Sequence, residues 1–317
     1  MTEIRYQPAD ERNIIVIAGP TAVGKTKYAI AVAKNFNGEI VSCDSMQLYK
    51  YMDIGSAKPT KEERIQVKHY LVDQIDPKED FSVARYQKLA KKAIEEIFSK
   101  GKTPVIAGGT GLYLNSLLYE MNFSDIPKQL ELRKTLEEEA QVLGAEYLYK
   151  KLQDVDSEAA KRIHPHNVKK VIRALEGASL GHKITDFKNC KEKCKDYHAI
   201  LIGLTRNREE LYDRINKRVD ILVQEGLFHE VEELLERGLT EEDISMKGIG
   251  YKEVIGFFDG LYTEEEAIAR IKKNSRHLAK RQLTWFRRYE DMKWFNISQY
   301  SGDAEALEDI IAWLKNR

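Results

Sequence analysis

Gly19-Pro20-Thr21-Ala22-Val23-Gly24-Lys25-Thr26 matches G-x-x-x-x-G-K-[ST] in full. Such a loop cradles an anion. Glycines let the backbone turn its N–H groups onto a phosphate, and a helix starting there adds its positive dipole end. Lys25 would place a point charge on the phosphates, and the Thr26 hydroxyl suits a Mg2+ ligand. The loop names a phosphate, not a reaction. Most such loops hold ATP or GTP for phosphoryl transfer, which also asks for an apolar strand ending in Asp. Here the apolar run at 103–107 (TPVIA) leads instead into Gly108-Gly109-Thr110-Gly111. The acid at a strand end is Asp44, after EIVSC at 39–43. A carboxylate beside bound phosphates can serve as a general base; an Asp that merely caps a loop or helix is the ordinary alternative. For Thr110, in the Gly-rich turn after the next strand, a helix cap is the ordinary reading.

These groups need elements to hold them together. IIVIA at 14–18 is short, apolar and β-branched, so it predicts a strand; a helix over 26–36 follows, closed by Asn37-Gly38. Residues 39–43 predict a second buried strand, 84–100 a helix ending at Gly101, and 103–107 another strand. Strand and helix alternate as a parallel sheet requires, giving an α/β, P-loop NTPase-like sheet flanked by helices. The carboxyl edge of an open parallel sheet is its binding crevice, which brings Asp44 near the phosphates. From 123 to 195 the texture changes: KQLELRKTLEEEAQVLG and EYLYKKLQDVDSEAAKRI are charged and helical in period. AILIGL at 199–204 reads as a strand again, and after Thr205 the pattern is mostly helical. The expected organisation is an α/β core over 1–122 and 197–317, carrying C-terminal helices, with an inserted all-helical subdomain at 123–196.

Acids and bases balance at 51 each, so net charge names no partner and only local clusters can. Lys161, Arg162, His164, His166, Lys169, Lys170 and Arg173 crowd the late insertion. Arg270, Lys273, His277, Lys280 and Arg287 recur at helical spacing near the C-terminus. Either cluster alone reads as a solvated face; together they offer phosphate contacts for RNA. Trp285 and Phe286 read as core. Three cysteines (Cys43, Cys190, Cys194) argue against a disulfide framework and for a reducing compartment. The Cys190/Cys194 pair has no second pair to complete a zinc site. MTEIRYQPADERN lacks the apolar core of a signal peptide, and no apolar run approaches the roughly 20 residues of a spanning helix. A cytoplasmic protein that engages no membrane is expected.

In order and spacing, GPTAVGKT, DSMQLYKYMDIGSAKPT (44–60), GGTGLYL (108–114), VIRALE (171–176) and IGYKE (249–253) resemble the tRNA dimethylallyltransferase family. The likeness runs from about residue 14 to residue 288, with Ser56 where the family usually carries Thr. The eukaryotic zinc-finger extension is absent, which points to the bacterial type. The resemblance implies a cradle for dimethylallyl diphosphate rather than ATP; whether ATP also binds there stays open. It implies prenyl transfer to N6 of adenosine 37, beside the anticodon, with release of diphosphate and with Mg2+ at Thr26. Residues 19–26 would bind the diphosphate, helped by Arg218 in LYDRINKRVDILVQEGL. Arg214 is its nearest competitor, and spacing alone favours ion pairs of either with Asp213 or Asp220. Asp44 would be the base, with Thr110 and Arg218 also catalytic. Ser45, Met46 and Gln47 would contact the extruded base, Gln47 offering both donor and acceptor. Extrusion costs on the order of a few kcal/mol. Lys161, Lys169, Lys170 and Arg173 would bind the anticodon stem-loop, gripped by the insertion, and a monomer is expected. An ATP-dependent kinase is disfavoured by Gly108–Gly111. An isopentenyltransferase for free adenine nucleotides is disfavoured by the insertion and basic faces. A non-catalytic RNA-binding module is disfavoured by intact Lys25, Thr26 and Asp44.

Overall fold

The computed structural model describes residues 12–121, 123, 129–181 and 192–317. It divides into two compact units, Met1–Tyr119 with Lys193–Arg317, and Glu120–Glu192. The first runs β1 (Asn13–Ala18), α1 (Lys25–Asn35), β2 (Gly38–Ser42), α2 (Lys61–Gln66), β3 (His69–Tyr70), α3 (Val83–Ser99), β4 (Thr103–Gly108) and α4 (Gly111–Leu118). The second holds α5 (Leu130–Leu143), α6 (Ala145–Val155), α7 (Ser157–Arg162) and α8 (Val168–Ser179). The chain then returns to the first through β5 (His198–Thr205), α9 (Arg208–Gln224), α10 (Leu227–Glu236), α11 (Tyr251–Phe258), α12 (Glu264–Phe286), β6 (Lys293–Asn296) and α13 (Asp303–Lys315).

Among the described residues, six strands form one sheet in the order β3-β2-β4-β1-β5-β6, every pair parallel. Helices cover both faces, so successive residues of a central strand must both be apolar. Ile14, Val16 and Ala18 of β1 pack into one core, with Val41 and Ile106. Ile15 and Ile17 pack into the other, with Ile40 and Val105. Each such side chain contributes about 1.5–3 kcal/mol on full burial. Two strands depart from the sequence expectation. β3 and β6 lie at the sheet's edges, and β6 interrupts a stretch expected to be helical. At two and four residues they are too short, and too mixed in polarity, to print an apolar run.

Register sets the site's geometry. Ala18 of β1 lies opposite Gly108 of β4, and Ser42 of β2 opposite Ala107. Three adjacent strands therefore end level, in the order β2, β4, β1. With neighbours about 4.8 Å apart, the loops leaving β1 and β2 start about 10 Å from each other.

In the second unit no strand occurs among the described residues. Leu136, Leu148, Leu152, Val171 and Ile172 form its core. The fully buried Glu176 accepts two hydrogen bonds from Arg133 (Nε 2.8 Å, Nη2 2.7 Å) and a longer one from Arg173 (3.3 Å). VIRALE thus carries a buried ion pair that ties α8 to α5. Cys190, and with it the pair it would form with Cys194, lies outside the described residues. No described helix is long and apolar enough to cross a membrane.

Candidate active site

The loop after β1 meets α1 at Gly24, whose φ of 108° is left-handed and favours glycine. No side chain caps α1, whereas α2, α3 and α12 are capped by Thr60, Ser82 and Thr263. The first N–H groups of α1 are thereby left for an anion. Arginines fix the other side of the loop. Arg214 Nε donates to the Ala22 carbonyl (3.0 Å), and Arg206 Nε to that of Val23 (3.3 Å). In a trans peptide C=O and N–H point opposite ways, so holding the Val23 carbonyl turns the Gly24 N–H the other way.

Lys25 folds back to donate from Nζ to the Pro20 carbonyl (2.9 Å). Crowding by protein lowers its pKa from 10.5 to about 8; the Asp44 charge opposes this shift and the Arg218 charge adds to it. Arg218 is exposed at the lip of the same cleft. Enough protein surrounds its guanidinium to lower its pKa as well. It makes no hydrogen bond or ion pair among the described residues, while Arg214 is tied to Ala22. Neither arginine pairs with Asp213 or Asp220, and Asp220 instead meets Lys272 (2.5 Å).

The acceptor side is built by β2 and β4. Asp44 Oδ1 accepts the N–H of Met46 (2.9 Å), a local turn that orients the carboxylate and leaves Oδ2 without a hydrogen bond among the described residues. Thr110 is the N-cap residue of α4, yet its side chain does not cap that helix. Its Oγ1 accepts the N–H of Ser45 (3.0 Å), and its own N–H donates to the Cys43 carbonyl (3.1 Å). A Cβ at Gly108 would run into the Cys43 carbonyl, so only glycine lets β4 leave the sheet this close to β2. Burial pushes the Cys43 thiol up to about 12, which keeps it protonated and inert.

Lys25, Thr26, Asp44, Gln47 and Arg218 line one cleft of about 600 Å³ in the α/β unit. Two neighbours of Asp44 are more enclosed than their types suggest. Gln47 accepts from Ser42 Oγ (2.9 Å) and donates to the Ala57 carbonyl (3.3 Å), so its amide already bridges two segments. Met46 packs against Gly248. The segment after Met52 is pinned by the buried Glu230 of α10, which accepts the N–H groups of Asp53, Ile54 and Gly55 (2.7, 2.7 and 2.9 Å) and the Tyr251 hydroxyl (2.8 Å). Lys58, almost wholly buried, meets Asp53 (2.7 Å) and Asp73 (2.5 Å).

The basic residues of the helical unit divide. Lys161 pairs with Glu158 (2.6 Å) and Arg173 reaches Glu176. Lys169 and Lys170 are exposed and make no ion pair among the described residues. On α12, the exposed Lys273, His277 and Lys280, and Arg287 just after it, are likewise without one among the described residues.

Sequence reasoning missed three residues at this edge. Arg206 follows β5 at the level of the phosphate loop, a place where a basic residue could have been noticed. Glu230 and Gln282 announce nothing by type or spacing. Gln282 accepts the Thr21 N–H (2.9 Å) and donates to the Gly109 carbonyl (3.0 Å) from α12.

The family model described as IPP transferase matches residues 47–289. The tRNA dimethylallyltransferase of Alkaliphilus oremlandii is 50% identical over 302 residues, covering 95% of this chain and 96% of the relative. The solved full-length tRNA isopentenylpyrophosphate transferase from Bacillus halodurans is 43% identical, with a TM-score of 0.73 and 96% of each chain covered. A eukaryotic dimethylallyltransferase acting on tRNA superposes with a TM-score of 0.79 at 29% identity, covering 96% of this chain and 80% of that one. With its P-loop sheet and the cleft at that sheet's carboxyl edge, the chain belongs to the IPP transferase family.

Proposed function

We propose that this chain transfers a dimethylallyl group from dimethylallyl diphosphate to N6 of adenosine 37 in the tRNA anticodon stem-loop, releasing diphosphate. One observation carries the reading. A carboxylate with one oxygen unengaged among the described residues and an uncapped, cation-flanked helix terminus line one cleft from strands two apart. Relatives bearing the tRNA dimethylallyltransferase name support it.

As the allylic C–O bond lengthens, negative charge gathers on the leaving diphosphate. The N–H groups opening α1, with Lys25 and Arg218, are set to receive it, and each such donor is worth about 10²–10³ in rate. The exocyclic amine of adenine is a poor nucleophile. Oδ2 of Asp44 takes its proton as the N6–carbon bond forms, while Oδ1 stays fixed by Met46. Thr110 holds the backbone beside that carboxylate through Ser45.

Mg2+ on a diphosphate keeps several waters and asks for one or two protein oxygens; the Thr26 hydroxyl in this cleft would supply one. When bound, the metal would offset charge on the leaving group. Lys161, Lys169, Lys170 and Arg173 of the helical unit, and the α12 cations, would contact RNA phosphates. Ser45, with the remaining valences of Gln47, would meet the extruded base. The protein would act in the cytoplasm, as a monomer.

The test is incubation with dimethylallyl diphosphate, Mg2+ and unmodified tRNA, then nuclease digestion and mass spectrometry. A prenylated adenosine from the anticodon loop is expected. Unmodified tRNA, or prenylation of free nucleotides alone, would refute the reading.

A further inference from the structure

The sheet fixes where the two loops that carry the chemistry begin, about 10 Å apart, but not how they are held to each other beyond the strand ends. β4 lies between β1 and β2, so no backbone pairing joins the phosphate loop to the Asp44 segment. One side chain crosses much of that gap. The amide of Gln282 accepts from Thr21 N at 2.9 Å and donates to the Gly109 carbonyl at 3.0 Å. A primary amide is suited to this, because it presents an acceptor and a donor on one rigid plane without charge. The fit is close. A Cβ at Gly109 would run into Gln282 Nε2, and one at Gly111 into Trp285, three residues further along the same face of α12. Beyond Gly109 the path continues through Thr110 to the Ser45 N–H and so to Asp44.

We infer that Gln282 is a positioning residue that sets the separation between the diphosphate-binding loop and the acceptor carboxylate. The inference rests on the transferase reading above. Gln282 holds the Thr21 end of the loop and leaves the α1 terminus to the anion, so its loss widens the distance across which the new bond forms without removing the anion's donors. A misplacement of about 1 Å can cost about 10²-fold in rate.

Two variants of the full chain test this. Gln282→Met keeps length and bulk but loses both hydrogen bonds. Gln282→Glu keeps the acceptor for Thr21 and sets a carboxylate oxygen against the Gly109 carbonyl. The measurements are the single-turnover prenylation rate, KM for each substrate, Kd for inorganic diphosphate, and Tm. Both variants are expected to lose about 10²-fold in rate, with Kd and KM within about threefold of wild type. The Gln282→Glu rate should recover as pH falls, because a protonated carboxyl donates again to Gly109. A Gln282→Met rate within about twofold of wild type, or a parallel fall in rate and diphosphate affinity, would overturn the inference. If Gln282→Met does not fold, Gln282→Glu decides: acid recovery supports the role, and a loss flat in pH overturns it. Wild type assayed alongside separates the failures, since a wild type that prenylates nothing sinks the transferase reading itself.

Discussion

In the α/β unit the buried carboxylate of Glu230 is met by three backbone N–H groups and a tyrosine hydroxyl. In the helical unit the buried carboxylate of Glu176 is met by two arginines, and nearby Lys161 and Lys151 are paired with Glu158 and Glu139. The first arrangement satisfies a buried acid without using a cation. Lys25, Arg218, the α12 residues Lys273, His277 and Lys280, and Arg287 just after that helix make no ion pair among the described residues. The second consumes cations to hold the fold. A basic cluster in sequence therefore overstates the charge open to a ligand wherever acids lie three or four residues away.

The sharpest way to break this contrast is at the cleft. Asp44→Asn keeps the turn onto Met46 but removes the base, so transfer should fall about 10³-fold with tRNA affinity nearly unchanged. Single-turnover assays beside filter binding measure both, and unchanged turnover would remove Asp44 as base. The matching change in the helical unit is Arg133→Ala. It strips the bidentate partner from a buried acid and should cost that unit about 3 kcal/mol, the low end for a broken buried pair because Arg173 remains. Urea unfolding followed by hydrogen exchange in 120–192 reads this; undiminished protection would mean the pair does not hold α8 to α5.

A smaller effect follows from Lys25. Its pKa in the fold lies below the ordinary value, so it is charged below about 8 and loses its charge above. The donor KM should rise by up to about tenfold per pH unit beyond that point, and Lys25→Arg should flatten the rise. A pH-independent KM in wild type would show that Lys25 does not sense the diphosphate. The smallest effects belong to surface cations. Lys273→Glu with Lys280→Glu should lower the slope of log K for tRNA against log salt by about 2, and Lys161→Glu with Lys170→Glu by about 1, Lys161 being shared with Glu158. Equal slope changes would erase the distinction between the two surfaces.

Much of the α/β framework was legible because buried parallel strands print continuous apolar runs, as at 14–18 and 103–107. The edge strands β3 and β6 print none. The phosphate loop was legible because its glycines answer to local backbone demands. The surroundings of Gln47 were not: nothing local records that Ser42 and the Ala57 carbonyl engage its amide. Only folding brings Gln282 to a glycine 173 residues away, and no local pattern records that approach. Equally invisible was that Arg214, and not Arg218, meets the Ala22 carbonyl.

The most direct measurement is stoichiometric. Wild-type protein, unmodified tRNA, Mg2+ and labelled dimethylallyl diphosphate should yield one diphosphate for each adenosine that gains a dimethylallyl group at N6 within the anticodon loop. Unmodified tRNA, together with transfer of a phosphoryl group from ATP by the same protein, would contradict the account.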